Sequence, residues 1–239
     1  MSEHQNGRSP GQSRERGLDR ARNSVEIEAG GALLDMDGTL VDSGVVVERI
    51  WSAWGASHGL DPARVLDVIH GRQGWQSMAI LLPHRSEAEN RAENARIQLA
   101  ERTELDGVVE IPGAVVLMRA LVGLPHALVT SAEEGLARAR LGAAGLPYPE
   151  VAVTAELVSA SKPHPEGFLL GAQRLGLSPE RCLVFEDSEA GIEAGLAAGM
   201  RVIGVGERAA GFGPHYAVRD LNSVRIERAG DAMRVIIEV

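Results

Sequence analysis

Hydrophobic positions along this chain change period several times, and the changes divide it into short strands and longer helices. The first ordered signal is Val25-Glu26-Ile27, followed by Gly30-Gly31 and the apolar run Ala32-Leu33-Leu34, which ends at Asp35. A run this short, with glycines before it and carboxylates after it, reads as a buried strand. From 45 the period lengthens. Val46, Ile50 and Trp54 recur four apart, one face of a helix that stops at Gly59. Asp61-Pro62 opens a second helix, Asp as N-cap and Pro at the first position, which carries Val65, Leu66 and Ile69 and stops at His70-Gly71. A third segment runs over 75–82 to Pro83. A fourth, over 86–102, has charged faces and few apolar anchors, Ile97 and Leu99 among them.

Ile111-Pro112-Gly113 marks a return to shorter periods. Helices are expected over 114–122, 133–144 and 191–198, and after Pro165 with Phe168, Leu169, Ala172 and Leu175 inward. Strands are expected over 126–129, 150–153, 181–185 and 201–205, the last of these closing the parallel set, with a hairpin over 224–239 turning at Ala229-Gly230-Asp231. Strands alternating with helices call for a parallel sheet with right-handed crossovers. The fold class is therefore α/β: a Rossmann-like parallel sheet core with helices on both faces over 25–43 and 111–239, and an inserted all-α cap domain over 44–110. Residues 1–24 are rich in Arg, Ser, Gly, Gln and Glu without periodic apolar positions, which reads as a disordered leader, or as an arm whose arginines meet a partner.

Composition narrows the function classes. A length of 239 residues suits one large domain or a domain plus an insert. The formal net charge of −9 argues against a nucleic-acid partner, but not against an anionic substrate, because a bound cation inverts the local field. The single cysteine, Cys182, makes no intramolecular disulfide framework and sits inside a strand pattern, as a small core residue rather than a nucleophile. No apolar stretch reaches the length of a membrane span and the N-terminus has no apolar signal region, so no membrane partner and a cytoplasmic location are expected. Lysine occurs once, at Lys162, in a chain whose other long cations are all arginine. A position where Lys survives that bias is one where Arg does not substitute.

Ligands of open α/β sheets bind at the carboxyl ends of the strands. Asp35 and Asp37, Thr130 and Ser131, and Glu186 and Asp187 all fall there, and Lys162 lies on a loop leading into a helix on the same side. Asp35 and Asp37, two apart on a strand, can point the same way while Met36 points opposite. Two carboxylates that close repel unless a cation lies between them, and a hard, oxygen-seeking ion such as Mg²⁺ suits them. Each piece has a plainer reading. Asp37-Gly38 is an ordinary turn dipeptide, Thr130-Ser131 an ordinary helix N-cap, Lys162 an ordinary surface charge and Glu186-Asp187-Ser188 a solvated cap. A calcium loop counted from Asp35 fails, because its twelfth position is Val46. Together the pieces suit phosphoryl transfer, which needs charge neutralisation and positioning.

These stretches also resemble a known family. Asp35-Met36-Asp37-Gly38-Thr39-Leu40-Val41-Asp42-Ser43 resembles the first motif of haloacid dehalogenase (HAD) superfamily phosphatases, and Val129-Thr130-Ser131 the second. Lys162-Pro163-His164-Pro165-Glu166 resembles the third, and Val184-Phe185-Glu186-Asp187-Ser188-Glu189-Ala190-Gly191-Ile192 the fourth, all in family order. The helical block between the first two resembles an α-helical cap. Within that group the likeness is to sugar and polyol phosphatases of the glycerol-phosphate and 2-deoxyglucose-6-phosphate type, carried by Val68-Ile69-His70-Gly71-Arg72-Gln73, Ile111-Pro112-Gly113-Ala114 and Ala137-Arg138-Ala139-Arg140. Ala132 departs from the pattern, since many relatives carry Gly after Thr-Ser.

The resemblance implies Mg²⁺-dependent hydrolysis of small sugar or polyol phosphates through an aspartyl-phosphate. It implies Asp35 as nucleophile and Asp37 as general acid/base. Asp35, the carbonyl of Asp37, and Asp187 would hold Mg²⁺, with Glu186 direct or one shell out. Thr130, the Ser131 amide and Lys162 would hold the phosphoryl group. Asp37 favours a phosphatase or phosphomutase over a dehalogenase, which has no alkoxide to protonate. A β-phosphoglucomutase-like mutase and a non-catalytic phosphate-binding regulator are the alternatives. In the cap, Trp51, Trp54 and Trp75 read as core or as sugar platforms. The loop His70-Gly71-Arg72-Gln73 reads as solvated or as reaching the substrate through Arg72. His58 and His84 read as structural or exposed. A monomer or weak homodimer is expected.

Overall fold

The structure is a computed structural model and describes residues 24–238. The leader expected over 1–24 lies outside the described residues except for Ser24, which opens β1 (Ser24–Ala29). β2 (Gly31–Leu34) then runs through the centre of a six-stranded parallel sheet ordered β6-β5-β2-β7-β8-β9. The other strands are β5 (His126–Val129), β6 (Ala152–Val153), β7 (Cys182–Glu186), β8 (Arg201–Val205) and β9 (Tyr216–Val218). β5 and β6 extend one side of β2, β7 to β9 the other, so the chain reverses direction of winding at β2. That switch point is where an open sheet leaves a crevice at its carboxyl edge.

Alternation along β2 divides the core between the two faces of the sheet. Leu33 packs with Val129, Phe168, Ala172, Val184 and Val202 on one face. Ala32 and Leu34 pack with Leu117, Leu121, Phe185 and Ile203 on the other. α7 (Glu166–Arg174) and α8 (Glu189–Ala197) cover the first face. α5 (Ala114–Ala120) and α6 (Glu134–Ala143) lie with the second cluster. The expected α/β class with helices on both faces is what the structure has.

Four helices stand between β3 (Val41–Asp42) and β4 (Val109–Glu110): α1 (Gly44–Ser57), α2 (Pro62–Leu66), α3 (Gly74–Leu81) and α4 (Glu87–Thr103). β3 and β4 pair antiparallel, so the two chain crossings into this insert stand side by side. Asp61 caps α2 by accepting from the Ala63 amide, and Ser86 with Glu89 forms a capping box on α4.

Four details differ from the sequence reading. Leu99 is 52% and Leu169 39% exposed. A helix advances 100° per residue, so a side chain two positions from buried Ile97, or one from buried Phe168, leaves the apolar stripe. β6 is shorter than 150–153. β9 adds a parallel strand beyond β8, three residues too short to show a period. The C-terminal hairpin forms as expected, from β10 (Val224–Ala229) and β11 (Ala232–Glu238), but β11 also pairs antiparallel with β1 and ties the two ends of the described chain into one sheet.

Candidate active site

The floor of the crevice is set by the ends of β2, β5 and β7. Asp35 continues β2, its amide donating to the Phe185 carbonyl at 3.0 Å. Its carboxylate is 9% exposed, and Lys162 Nζ donates to Oδ1 at 2.5 Å. The same ammonium donates to Glu186 Oε1 at 2.7 Å and to the Val129 carbonyl at 3.1 Å. Three acceptors arriving from β2, β5 and β7 use the three donors of an ammonium. A planar guanidinium does not match three acceptors spread this way, which accounts for Lys at this buried position in an arginine-rich chain. The surface-charge reading of Lys162 is excluded by its burial.

Glu186 is fully engaged: its second oxygen accepts from the Ser188 amide at 2.7 Å and hydroxyl at 2.9 Å. Ser188 in turn caps α8. Asp187 projects beside Asp35, and Thr39 Oγ1 lies 3.4 Å from its Oδ1. Gly38, at φ 81°, passes so close that a Cβ there would overlap the Asp187 carboxylate. The chain leaves β2 sharply here because only glycine takes this turn without strain.

Three carboxylates face one ammonium, and the electrostatics reflect it. Burial pushes the Asp35 carboxyl up to about 7 against the pull of Lys162, with Glu186 adding like charge. Burial, then Glu186 and Asp35, raise Asp187 well above the usual carboxylate range. Although burial works against its charge, Asp35 and Glu186 hold Lys162 above the ordinary lysine value. Carboxylate oxygens of Asp35, Glu186 and Asp187 lie within 4.8 Å of one another. An all-oxygen donor set with surplus negative charge fits a hard divalent cation.

Asp37 sits differently. Its side chain is 33% exposed, yet both oxygens are held: Ser43 Oγ donates to Oδ1 at 2.6 Å, and Arg140 Nη1 to Oδ2 at 2.7 Å. Arg140, on α6, is only 4% exposed, and its Nη2 lies 3.4 Å from Glu101 Oε2 of α4. Burial raises Glu101 above the usual range against the pull of Arg140. Ser43, Arg140 and Glu101 are absent from the sequence-derived site. The signal that finds the last two is a charge in the apolar register of its helix. Arg140 shares a face with Leu136, Ala137 and Leu141, and Glu101 shares one with Asn90, Asn94 and Ile97.

Thr130 is buried at the end of β5, and its hydroxyl accepts from the Ala132 amide at 3.1 Å. Neither it nor Ser131 is the N-cap of α6, which is Glu133. Ser131 Oγ donates to the Gly71 carbonyl at 3.1 Å, and Gln73 Nε2 to the Ala155 carbonyl at 3.3 Å. The loop before α3 is thus docked on the core. Asp35, Asp37, Arg72, Thr130, Ser131 and Asp187 line one cavity of about 190 Å³, roofed by Trp51, Asn94 and Gln98. Trp51 and Trp54 are buried, and their Nε1 groups donate to Glu101 and Glu93, so both are insert core, and Trp51 is cavity wall as well. Trp75 stacks under Arg91, 4.0 Å from ring centre to Cζ. His58 packs between Trp54, Glu93 and Arg85, and His84 is exposed.

A parallel sheet, a floor of carboxylates around one buried ammonium and a helical roof define the architecture of the site. The chain belongs to the haloacid dehalogenase-like hydrolase family, whose model matches residues 30–199. Hexitol phosphatase A of Escherichia coli (strain K12) is 51% identical over 177 residues, 73% of this chain and 82% of that protein. Glycerol-1-phosphate phosphohydrolase 2 of Saccharomyces cerevisiae (strain ATCC 204508 / S288c) is 32% identical over 195 residues, 76% of each chain. Among solved structures, β-phosphoglucomutase from Clostridium difficile superposes with a TM-score of 0.73 at 21% identity, over 82% of this chain and 93% of that one, a likeness of fold. The motif resemblance is borne out, and the chain is a phosphatase of this family. Among the described residues no helix is long and apolar enough to cross a membrane.

Proposed function

We propose that the protein hydrolyses small sugar or polyol phosphate monoesters, with Mg²⁺, through an aspartyl-phosphate on Asp35. The observation that carries this reading is Lys162, bonded at once to Asp35, Glu186 and the Val129 carbonyl under a cavity sized for a small ester. The names of the relatives support the polyol and sugar class. Asp35, Asp187 and the carbonyl of Asp37 would hold the metal, and Glu186, with both oxygens taken, supports Lys162 from one shell out. Bound there, Mg²⁺ supplies neutralisation of charge on the transferring phosphoryl group.

Asp35 attacks phosphorus, and the bond to the leaving oxygen breaks as that oxygen takes a proton from Asp37. Water then attacks the phosphoryl group, giving its proton to Asp37, and the bond to Asp35 breaks to release inorganic phosphate. Lys162, Thr130 and the Ser131 amide orient the phosphoryl oxygens, and Arg72 reaches them from the insert. The division into core and insert over 25–43, 44–110 and 111–239 follows from the same reading.

The test is phosphate release from a hexitol phosphate, glycerol 1-phosphate, fructose 1-phosphate and 2-deoxyglucose 6-phosphate. Release from at least one of these, lost in EDTA and in Asp35→Asn, is expected. No release by Mg²⁺-loaded protein from any of them overturns the proposal. Conversion of glucose 1-phosphate to glucose 6-phosphate without phosphate release would replace it with the mutase alternative.

A further inference from the structure

Arg140 occupies an apolar register of α6, beside Leu136, Ala137 and Leu141. A charge there is costly unless paired, and its pairs run in two directions. One leads to Asp37, at 2.7 Å, and the other to Glu101 of α4, at 3.4 Å. Trp51 of α1 donates to the other oxygen of Glu101 at 3.0 Å. A chain of contacts thus runs from the helical insert, through one core helix, to the acid/base carboxylate. Arg140 lines the cavity, and its Nε and Nη2 have no hydrogen-bond partner among the described residues.

Resting on the hydrolase reading above, we propose that Arg140, braced by Glu101, is a positioning residue. It holds the Asp37 carboxylate toward the leaving-group side of the cavity, so that proton delivery depends on the packing of α4 against α6. A planar fork can bond one carboxylate and lean on another from a fixed plane, which a single ammonium does not do. The consequence is selective. In cleavage of the ester bond, the step that kcat/KM reads, a residue that aims the proton matters when the departing oxygen needs one, and matters little when it does not.

The test compares two esters. A glycerol or hexitol phosphate releases an alkoxide that must be protonated. p-Nitrophenyl phosphate releases a stable phenolate. The quantity read is kcat/KM, which reports transition-state stabilisation relative to free enzyme and substrate. Arg140→Met is expected to lower it about 100-fold on the polyol ester and less than about five-fold on the nitrophenyl ester, the span that general-acid catalysis covers at its lower end. Glu101→Gln keeps an acceptor for Trp51 but removes the charge facing Arg140, and is expected to shift the ratio of the two esters in the same direction, by about ten-fold. Arg140→Lys is expected to recover part of the ratio. If Arg140→Met does not fold, the Lys and Gln variants carry the same comparison. Equal losses on both esters overturn the inference and leave the hydrolase reading standing. A wild-type enzyme that turns over neither ester overturns both.

Discussion

The two aspartates that follow β2 are two positions apart and are held in opposite ways. Asp35 is gripped by the core alone. Its partner Lys162 is braced by Glu186 and by β5, and Ser188 locks Glu186 from the start of α8. Asp37 is gripped across a junction, by Ser43 at the entrance to the insert and by Arg140, which leans on Glu101 of α4. The surroundings of Asp35, the proposed nucleophile, are complete within the core. Those of Asp37, the proposed proton carrier, depend on how the insert sits. On that proposal, a fold that separates the two dependencies can vary its leaving-group chemistry without disturbing the phosphoryl floor.

The comparison breaks most severely at Lys162. Lys162→Met leaves a buried carboxylate cluster without its cation, and should cost about 3 kcal/mol or more of stability together with about 10³-fold or more in kcat. Lys162→Arg restores charge without the three-way geometry and should recover stability in denaturant melts more than activity. Near-normal turnover in either variant would contradict the floor as drawn.

Gly71 probes the junction. It holds φ 76° where the insert docks on the core, and a Cβ there would meet the Ser188 side chain. Gly71→Ala should cost about 1–2 kcal/mol and lower kcat/KM on a polyol phosphate by about ten-fold. Unchanged kinetics would mean that docking of this loop does not matter to turnover.

The smallest effect is one of pH on the metal-free protein. Asp35 titrates near 7 in the fold, above its usual 3.8, and Asp187 is shifted the same way. The folded state therefore holds protons that the unfolded chain releases, and the stability this contributes is full below about pH 4 and lost as pH rises through about 7. In EDTA, Tm should fall from pH 5 to pH 8 by about 2–6 °C, the span of one or two kcal/mol for a chain this size. On the proposed function Mg²⁺ would bind the deprotonated pair, and it should then raise Tm more at pH 8 than at pH 5. Equal Mg²⁺ shifts at both values would contradict the raised carboxylates.

Legibility in the sequence follows the same division. The floor residues end apolar runs, where a polar residue is conspicuous, and the solitary lysine marks itself by composition. Arg140 and Glu101 sit within helical periods among many other charges, and Ala137-Arg138-Ala139-Arg140 looks like a solvated stripe. Arg138 is indeed exposed, paired to Glu134 one turn away, while Arg140 is buried. Only the phase of each helix distinguishes them, and phase is set by packing against another element. The pairing of β1 with β11 joins segments about 200 residues apart in the chain, and nothing in either segment specifies the other.

The most direct measurement uses Asp37→Asn with Mg²⁺ and p-nitrophenyl phosphate in excess over enzyme, followed in the pre-steady state. The nitrophenolate departs without a proton, so on the proposed roles Asp35 should still be phosphorylated, while water attack, with Asp37 lost as base, should stall. A burst of nitrophenolate approaching one equivalent per enzyme is predicted, with the trapped acyl phosphate mapped to Asp35 by reduction with borohydride and peptide mass spectrometry. Steady release with no burst, or a label on any other residue, would contradict the assignment of the two aspartates.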